Sequence, residues 1–363
     1  MSDAAPTLAV GREPLRRFWR SARGFWRGRE VVVAWGLIGV LIACTVLQVL
    51  VQYRLNLWNR DFFNALEFRD SREIWHQTCL LIVFAVPSIG LAVFAVWGRM
   101  TFQRRWRAWL TATLIDSWLG DERYRRLDLW KGEHQNAEYR IAEDARLATD
   151  APIDLVVGLL GSLLSAATFV VVLWHVGGAL EVDLSGLAFS IPGYLVIAAV
   201  AYATLTTGTM MIVGRHMVDV IESKNQAESE LKYAFAHLRG SAKAQMTASD
   251  LEATTATVGG ALQDVIHQWQ RLCGQHMRTT FVSHGNTLLA PLVGLILCVP
   301  HYVHGSMLLG EVTQAAAAFV AVQGAFNWLV DNYPRLAEWL SSANRVGTLL
   351  GAFDRLEATE GPR

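Results

Sequence analysis

Four carboxylates stand where a chain this apolar has to account for them. Asp61 and Glu67 follow closely on the apolar run Val31 to Val51, and Asp331 and Glu338 stand at and beyond the end of the last apolar run. On a helix Asn327, Asp331 and Glu338 share one face, unless Pro334 kinks the helix between them. Lipid penalises a charge unless it pairs, snorkels or faces water. A carboxylate that loses its water when a cavity closes binds a proton more readily, and can load and release protons in a transport cycle. Glu338, Asp331, Asp61 and Glu67 are therefore candidates for proton coupling or for lining a cavity. The competing reading of each is an ion pair that holds helices together, for example Asp331 with Arg335 at i, i+4.

The densest polar signal lies in residues 56–70. Read as helix, Trp58, Phe62, Ala65 and Leu66 share one face, and Asn56, Arg60, Asn64 and Glu67 line another. A membrane helix would then continue past the lipid with an apolar side for packing and a polar side facing water. The plainer reading is a helix end anchored by Trp58 and charges. Gln323 and Asn327 sit one turn apart in the last apolar run and are expected to face protein or water. Asn56, Arg60, Asn64, Gln323 and Asn327 are thus the candidate polar face of a cavity. His301 and His304 stand at i, i+3 without a nearby Cys or carboxylate, so no metal site is expected. No nucleophile–base set stands out, and neither a catalytic residue nor a cofactor is expected. Trp106, Trp109, Trp118 and Trp130 read as packing and interface anchors.

The elements that must position these residues are membrane helices. The 363 residues are 52% apolar and only 18% charged, with zero net charge. That is too apolar for an ordinary soluble domain and gives no global attraction to nucleic acid. Six apolar runs, about 31–52, 79–98, 153–175, 186–213, 286–307 and 312–332, are long enough to span a bilayer, which needs roughly 20 residues. Pro87, Pro291 and Pro300 predict kinks, and Gln314, Gln323 and Asn327 make the sixth run the least apolar. Cys44, Cys79, Cys273 and Cys298 form no CxxC pair and read as small core residues. The first 30 residues carry seven arginines and no hydrophobic core of their own, so no cleaved signal peptide is expected.

Positive charge orients the chain. Lys and Arg number seven before the first run, ten in 99–151, seven in 214–285 and four after the last run, against four in 53–78. The positive-inside rule then places both termini and the two long connections in the cytoplasm. Those connections read as helical hairpins. Trp106, Leu110, Leu114 and Trp118 recur every four residues, with a break near Gly120 to Arg126 and a turn at Lys131-Gly132-Glu133. The second descends through Ile221, Leu231, Phe235 and Leu238, breaks at Gly240-Ser241, and returns through Leu262, Val265, Trp269 and Leu272. Each limb reaches roughly 30 Å beyond the membrane.

Several motifs carry a resemblance. Leu57-Trp58-Asn59-Arg60-Asp61-Phe62-Phe63-Asn64-Ala65-Leu66-Glu67, Arg140-Ile141-Ala142-Glu143-Asp144, Asn225-Gln226-Ala227-Glu228-Ser229-Glu230, Gln314 to Phe319, Trp328-Leu329-Val330-Asp331-Asn332-Tyr333 and Leu336-Ala337-Glu338-Trp339 resemble the SbmA/BacA peptide-transporter family. A similar domain occurs in their ATP-binding-cassette relatives, the bacterial subfamily-D-like transporters. The similarity covers about residues 30–357. It implies an exporter-type six-helix fold, a homodimer, and uptake of peptides or other hydrophilic solutes through a large water-filled cavity. Two departures matter. Asn136-Ala137 stands where many family members carry Asn-Pro, and no GxxxxGK[ST] occurs, so this chain alone is not expected to hydrolyse ATP.

The sequence therefore reads as an all-α polytopic membrane protein with about six transmembrane helices. Residues 1–30 form a basic cytoplasmic segment, 31–357 an ABC-exporter-like transmembrane transport domain, and 358–363 a short tail. The expected function is solute transport in a bacterial inner membrane, by a homodimer importing peptides or bulky hydrophilic solutes with proton coupling. The alternative is the transmembrane half of a split ATP-driven transporter that needs a separate ATPase subunit, docked at tips near Asp128–Glu133 and Gly240–Ala248. A membrane scaffold is disfavoured by the polar residues within and beside the spans.

Overall fold

A computed structural model describes residues 12–28, 31–129, 137–184, 187–241 and 248–358. Helix α1 covers Arg12–Arg27, α2 Val31–Glu67 and α3 Ser71–Leu119. A 3-10 turn over Gly120–Glu122 leads into α4, Arg123–Leu129. The short α5, Ala137–Tyr139, passes through a π-helical turn at Arg140–Asp144 into α6, Ala145–Gly177. Strands β1, Ala179–Leu184, and β2, Leu187–Pro192, pair antiparallel, Ala179 opposite Pro192. Four helices follow: α7 Tyr194–Gly214, α8 Met217–Ser241, α9 Ala248–Val303 and α10 Leu309–Ala358.

The α2–α3, β1–β2 and α9–α10 turns gather at one end, here the hairpin end; α1 lies toward the other, basic end. The α2–α3 turn is built from local chemistry. Arg69 takes φ +54°, and the Asp70 carboxylate caps α3 by accepting from the N–H of Arg72 (3.0 Å) and Glu73 (3.2 Å). An N-terminal carboxylate satisfies orphan donors and complements the helix dipole.

Among the described residues, five helical stretches are long and apolar enough to cross a membrane: Val31–Glu67, Ser71–Leu127, Ala137–Gly177, Tyr194–Ala236 and Thr254–Val303. The sixth expected run lies in α10, which falls outside that set. The reason is packing. α10 contacts α1, α2, α6, α7 and α9, and Ala315, Ala318, Phe319, Val322 and Gln323 on it are buried. A helix shielded by other helices need not be as apolar as one facing lipid. At the opposite extreme, the most apolar window of α3 contains no buried residue.

Two cores hold the bundle. Near the hairpin end Phe169, Leu173, Tyr194, Leu195, Cys298 and Phe319 join α6, α7, α9 and α10. Toward the basic end Phe18, Phe25, Phe102, Trp106 and Leu110 pack α1 and α3 with Val346 and Leu349 of α10. Trp106 and Trp109 serve that packing, as expected.

Some local expectations change. Residues 187–192, the start of the fourth run, form β2 and not helix, because Gly178 (φ +59°) and Gly193 (φ +63°) turn the backbone at both ends of the hairpin. Gly240-Ser241 does not interrupt α8, which continues to Ser241. Cys44 and Cys298 are buried, but Cys79 and Cys273 are exposed, so only two of the four are core residues; Cys79 begins the outward-facing run of α3. Trp130, Lys131-Gly132-Glu133, Asn136 and residues 242–247 lie outside the described residues.

Removing the α3 cap is expected to be measurable. Asp70→Ala should destabilise the protein by about 1 kcal/mol, read as a lowered unfolding temperature in detergent, while Asp70→Asn should stay near the parent protein.

Candidate transport cavity

Four amides of α2 line a cavity beside Thr45, Val49, Leu55 and Trp58. Gln48, Gln52, Asn56 and Asn59 follow at i, i+4, i+8 and i+11 and line a cavity of about 740 Å³ between α2, α6 and α10. The ladder is about 16 Å long at 1.5 Å per residue. α6 faces it with Gly161, Ser162, Ser165 and Phe169, and α10 with Ala317, Ala321, Gly324 and Ala325. The small residues of α6 and α10 leave the room. Below them the two helices close up where Trp328 packs on Gly158; a Cβ at Gly158 would meet the indole at 2.7 Å.

No lining residue is ionisable. A carboxamide both donates and accepts, so the ladder can bind either kind of partner without net charge. A charged group entering such a site would lose water and gain no counter-ion. Asn56 is 5% exposed, and its Nδ2 donates to the Gln314 carbonyl (3.1 Å). Its Oδ1, and Gln314 Oε1, have no hydrogen-bond partner among the described residues.

Of the candidate cavity and proton-coupling residues named from the sequence, Asn56 lines the cavity, and so does Trp58, expected on the packing face. The others are placed elsewhere. Arg60 pairs with its neighbour Asp61 at 2.9 Å. Asn64 Oδ1 accepts from the Gly310 N–H (2.9 Å), and Glu67 from the Leu309 N–H (2.8 Å), so both cap α10. Gly310 is needed there, since a Cβ would overlap Arg60 O and Asn64 Oδ1. Gln323 is buried between helices, its Nε2 reaching Thr206 Oγ1 (2.6 Å), Asn286 Oδ1 (3.3 Å) and Asn327 Oδ1 (3.3 Å). Asp331 and Glu338 are exposed on α10. Arg335 does not pair with Asp331; it binds Asp154 on α6. His301 stacks on Tyr194 (5.3 Å between centroids), and His304 turns back to the Pro300 carbonyl (2.6 Å).

Sequence reasoning missed the ionic belt at the basic end. Asp154, 11% exposed, is held by Arg99 (3.3 Å), Arg335 and the Gln103 amide (2.9 Å), and ties α6 to α3 and α10. Ten residues earlier Asp144, 1% exposed, accepts from Arg345 Nε and NH2 at 2.7–3.0 Å. These bonds raise the Arg345 guanidinium above its ordinary pKa. Asp144 closes the π-helical turn, whose extra residue re-aims it toward α10. The available signal was a carboxylate, Asp154, two residues into an apolar run behind Pro152.

The structure is a bundle of long apolar helices around a cavity lined by amide, hydroxyl, small and apolar side chains, none of them charged. Residues 28–303 match the model of the ABC transporter transmembrane region 2 family, and the chain belongs to that family. It is 25% identical over 329 residues to the inner membrane ABC transporter ATP-binding protein YddA of Escherichia coli, covering 89% of this chain and 58% of that protein. An uncharacterized ABC transporter ATP-binding protein of Haemophilus influenzae is 21% identical, over 88% of this chain and 54% of its own length. The chloroplastic ABC transporter D family member 2 of Arabidopsis thaliana is 20% identical, over 94% and 46%. The chain thus spans about half the length of these relatives. The ABC-type membrane domain is the part of the resemblance that these matches carry; they do not single out the SbmA/BacA branch.

The belt is expected to matter for stability. Asp144→Asn leaves Arg345 without its anion. Breaking a fully buried pair costs roughly 3–5 kcal/mol, and the half-exposed Arg345 lowers that to about 2–3 kcal/mol. A thermal melt should fall accordingly and recover in part in the charge-swapped pair Asp144→Arg with Arg345→Asp.

Proposed function

We propose that this chain is the membrane-spanning half of an ATP-driven transporter, paired with a second copy and powered by nucleotide-binding domains at the basic end. The carrying observation is the family match across residues 28–303 together with relatives named for ATP binding, of which this chain covers about half. This chain itself holds no GxxxxGK[ST].

The second copy is supported by the α8–α9 hairpin. α8 packs on α9, yet Tyr233, Phe235, Leu262, Ile266 and Trp269 on the pair are exposed. Apolar side chains on a projecting hairpin are a surface that a partner covers. The excess of Lys and Arg at the basic end makes that end cytoplasmic, in a bacterial inner membrane.

The solute presents uncharged hydrogen-bonding groups, such as the amides of a peptide, to the ladder Gln48, Gln52, Asn56 and Asn59. Proton-coupled import is the competing reading, with Glu338, Asp331, Asp61 and Glu67 as candidate carriers. It is less favoured because the cavity is lined by no carboxylate.

Uptake of a labelled neutral peptide by membrane vesicles from cells making this protein separates the two. ATP-dependent transport that survives an uncoupler and drops ten-fold or more in Gln48→Leu with Gln52→Leu is expected. Transport driven by an imposed proton gradient without ATP, and lost in Glu338→Gln, would overturn the reading.

A further inference from the structure

Helix α1 carries six arginines and one glutamate in sixteen residues. Its apolar face is used up: Phe18, Ala22 and Phe25 are buried against α3 and α10. Gly24 lets it approach closely, since a Cβ there would meet the Trp109 ring at 2.7 Å. Arg17 is engaged with Glu13 (3.8 Å) and Asp354 (4.0 Å). Arg16, Arg20, Arg23 and Arg27 are different. They follow at i, i+4, i+7 and i+11, so they form one stripe along the helix. All four are exposed, and none has an ion-pair partner among the described residues.

The height of this stripe relative to lipid can be read from its contacts. Arg99, Asp154 and Arg335 meet in one ion cluster, and each lies within three residues of the end of an apolar run. The cluster therefore marks where hydrocarbon stops. Trp339 lies one turn beyond it on α10 and Phe102 three residues beyond it on α3, which is about 4–6 Å at 1.5 Å per residue. α1 touches both levels: Trp19 packs on Trp339 (6.4 Å) and Phe25 on Phe102 (5.8 Å). Trp26 also meets Trp35 at the start of the first span (5.5 Å). The headgroup layer is about 5–8 Å thick on each side of the hydrocarbon. The part of α1 from Trp19 to Arg27 thus passes from α10 to α3 beginning at headgroup depth, while its first turns stand further from the lipid, where Pro14 meets Gly347 and Arg17 meets Asp354. Trp19 and Trp35 are exposed beside it as interfacial aromatics.

We propose that the stripe Arg16, Arg20, Arg23 and Arg27 is a binding surface for anionic phospholipid headgroups of the adjoining leaflet. Guanidinium groups grip phosphate through paired N–H donors, and each basic side chain near an anionic surface adds to binding. The side chains that fix α1 to α3 and α10 are other residues, so lipid binding and folding are separable. Lipid held along α1 would also brace the contact between α10 and α3.

The test uses the whole protein in nanodiscs of neutral phosphatidylcholine, with or without phosphatidylglycerol. Retained lipid is counted by native mass spectrometry and the unfolding temperature is followed in parallel. Phosphatidylglycerol should be retained preferentially and raise the unfolding temperature, an effect weakened in 0.5 M salt. The variant with all four arginines changed to Gln should retain it about ten-fold less, and melt like the parent in pure phosphatidylcholine. Changing the four to Lys should keep most of the effect, and free glycerol phosphate should not reproduce it. An unchanged phosphatidylglycerol response in the four-Gln variant would overturn the proposal, as would an equal response to free glycerol phosphate.

Discussion

The arrangement depends on keeping α10 away from lipid. Gln314 and Gln323 are nearly fully buried on it, and a lone amide facing hydrocarbon would be costly. Other helices supply part of what lipid cannot. Thr206, Asn286 and Asn327 surround the Gln323 Nε2, and Asn56 donates to the backbone carbonyl of Gln314, while the Oε1 atoms of both glutamines have no partner among the described residues. Even the first turn of α10 is held from outside, by Asn64 and Glu67 of α2. These bonds come from α2, α7 and α9 as well as from α10 itself, so they specify where α10 must sit and leave α3, with the most apolar window, on the outside.

Charge is distributed on a different rule. The polar side chains that line the cavity are neutral; where the apolar runs end at the basic end, carboxylates and guanidiniums meet. Asp154 of α6 and Asp144 at the end of the turn that leads into it each bind an arginine of α10. The two pairs lie ten residues apart on both helices, 144 to 154 on one and 335 to 345 on the other, in reverse order. That spacing is what two antiparallel helices in contact require, and it fixes their register. The cavity opens on the far side of this pinned seam, where Gly161 and Gly324 replace larger residues.

Much of this was legible in the sequence, for reasons that differ by element. Apolar runs long enough to span lipid gave the helices directly, because length and hydropathy are local properties. The motif around Trp58 lies on the helix that lines the cavity, and Asn56 is among the lining residues. Arg60, Asn64 and Glu67 share that face but sit up to two or three turns higher, where they meet the α9–α10 turn or, for Arg60, its own neighbour. A helical wheel gives direction and not height. Gln48 and Gln52 were passed over because they sit near the end of an apolar run and look like interruptions. The partner of Arg335 was misread for a related cause: Asp331 is near in sequence, but Asp154, 181 residues away, is near in space. The β-hairpin was hidden by its apolar composition, which suits a membrane helix as well as a strand.

The length of α9 has a mechanical consequence. Between Ala248 and Pro291 the helix has no proline, and this stretch forms a rod of about 64 Å. Pinned near the proline, such a rod turns one degree of tilt into roughly 1 Å of travel at its far end. Small rotations among packed helices in the membrane therefore arrive at the basic end as displacements larger than the tolerance of an atomic contact, and the conversion works equally well in the opposite sense.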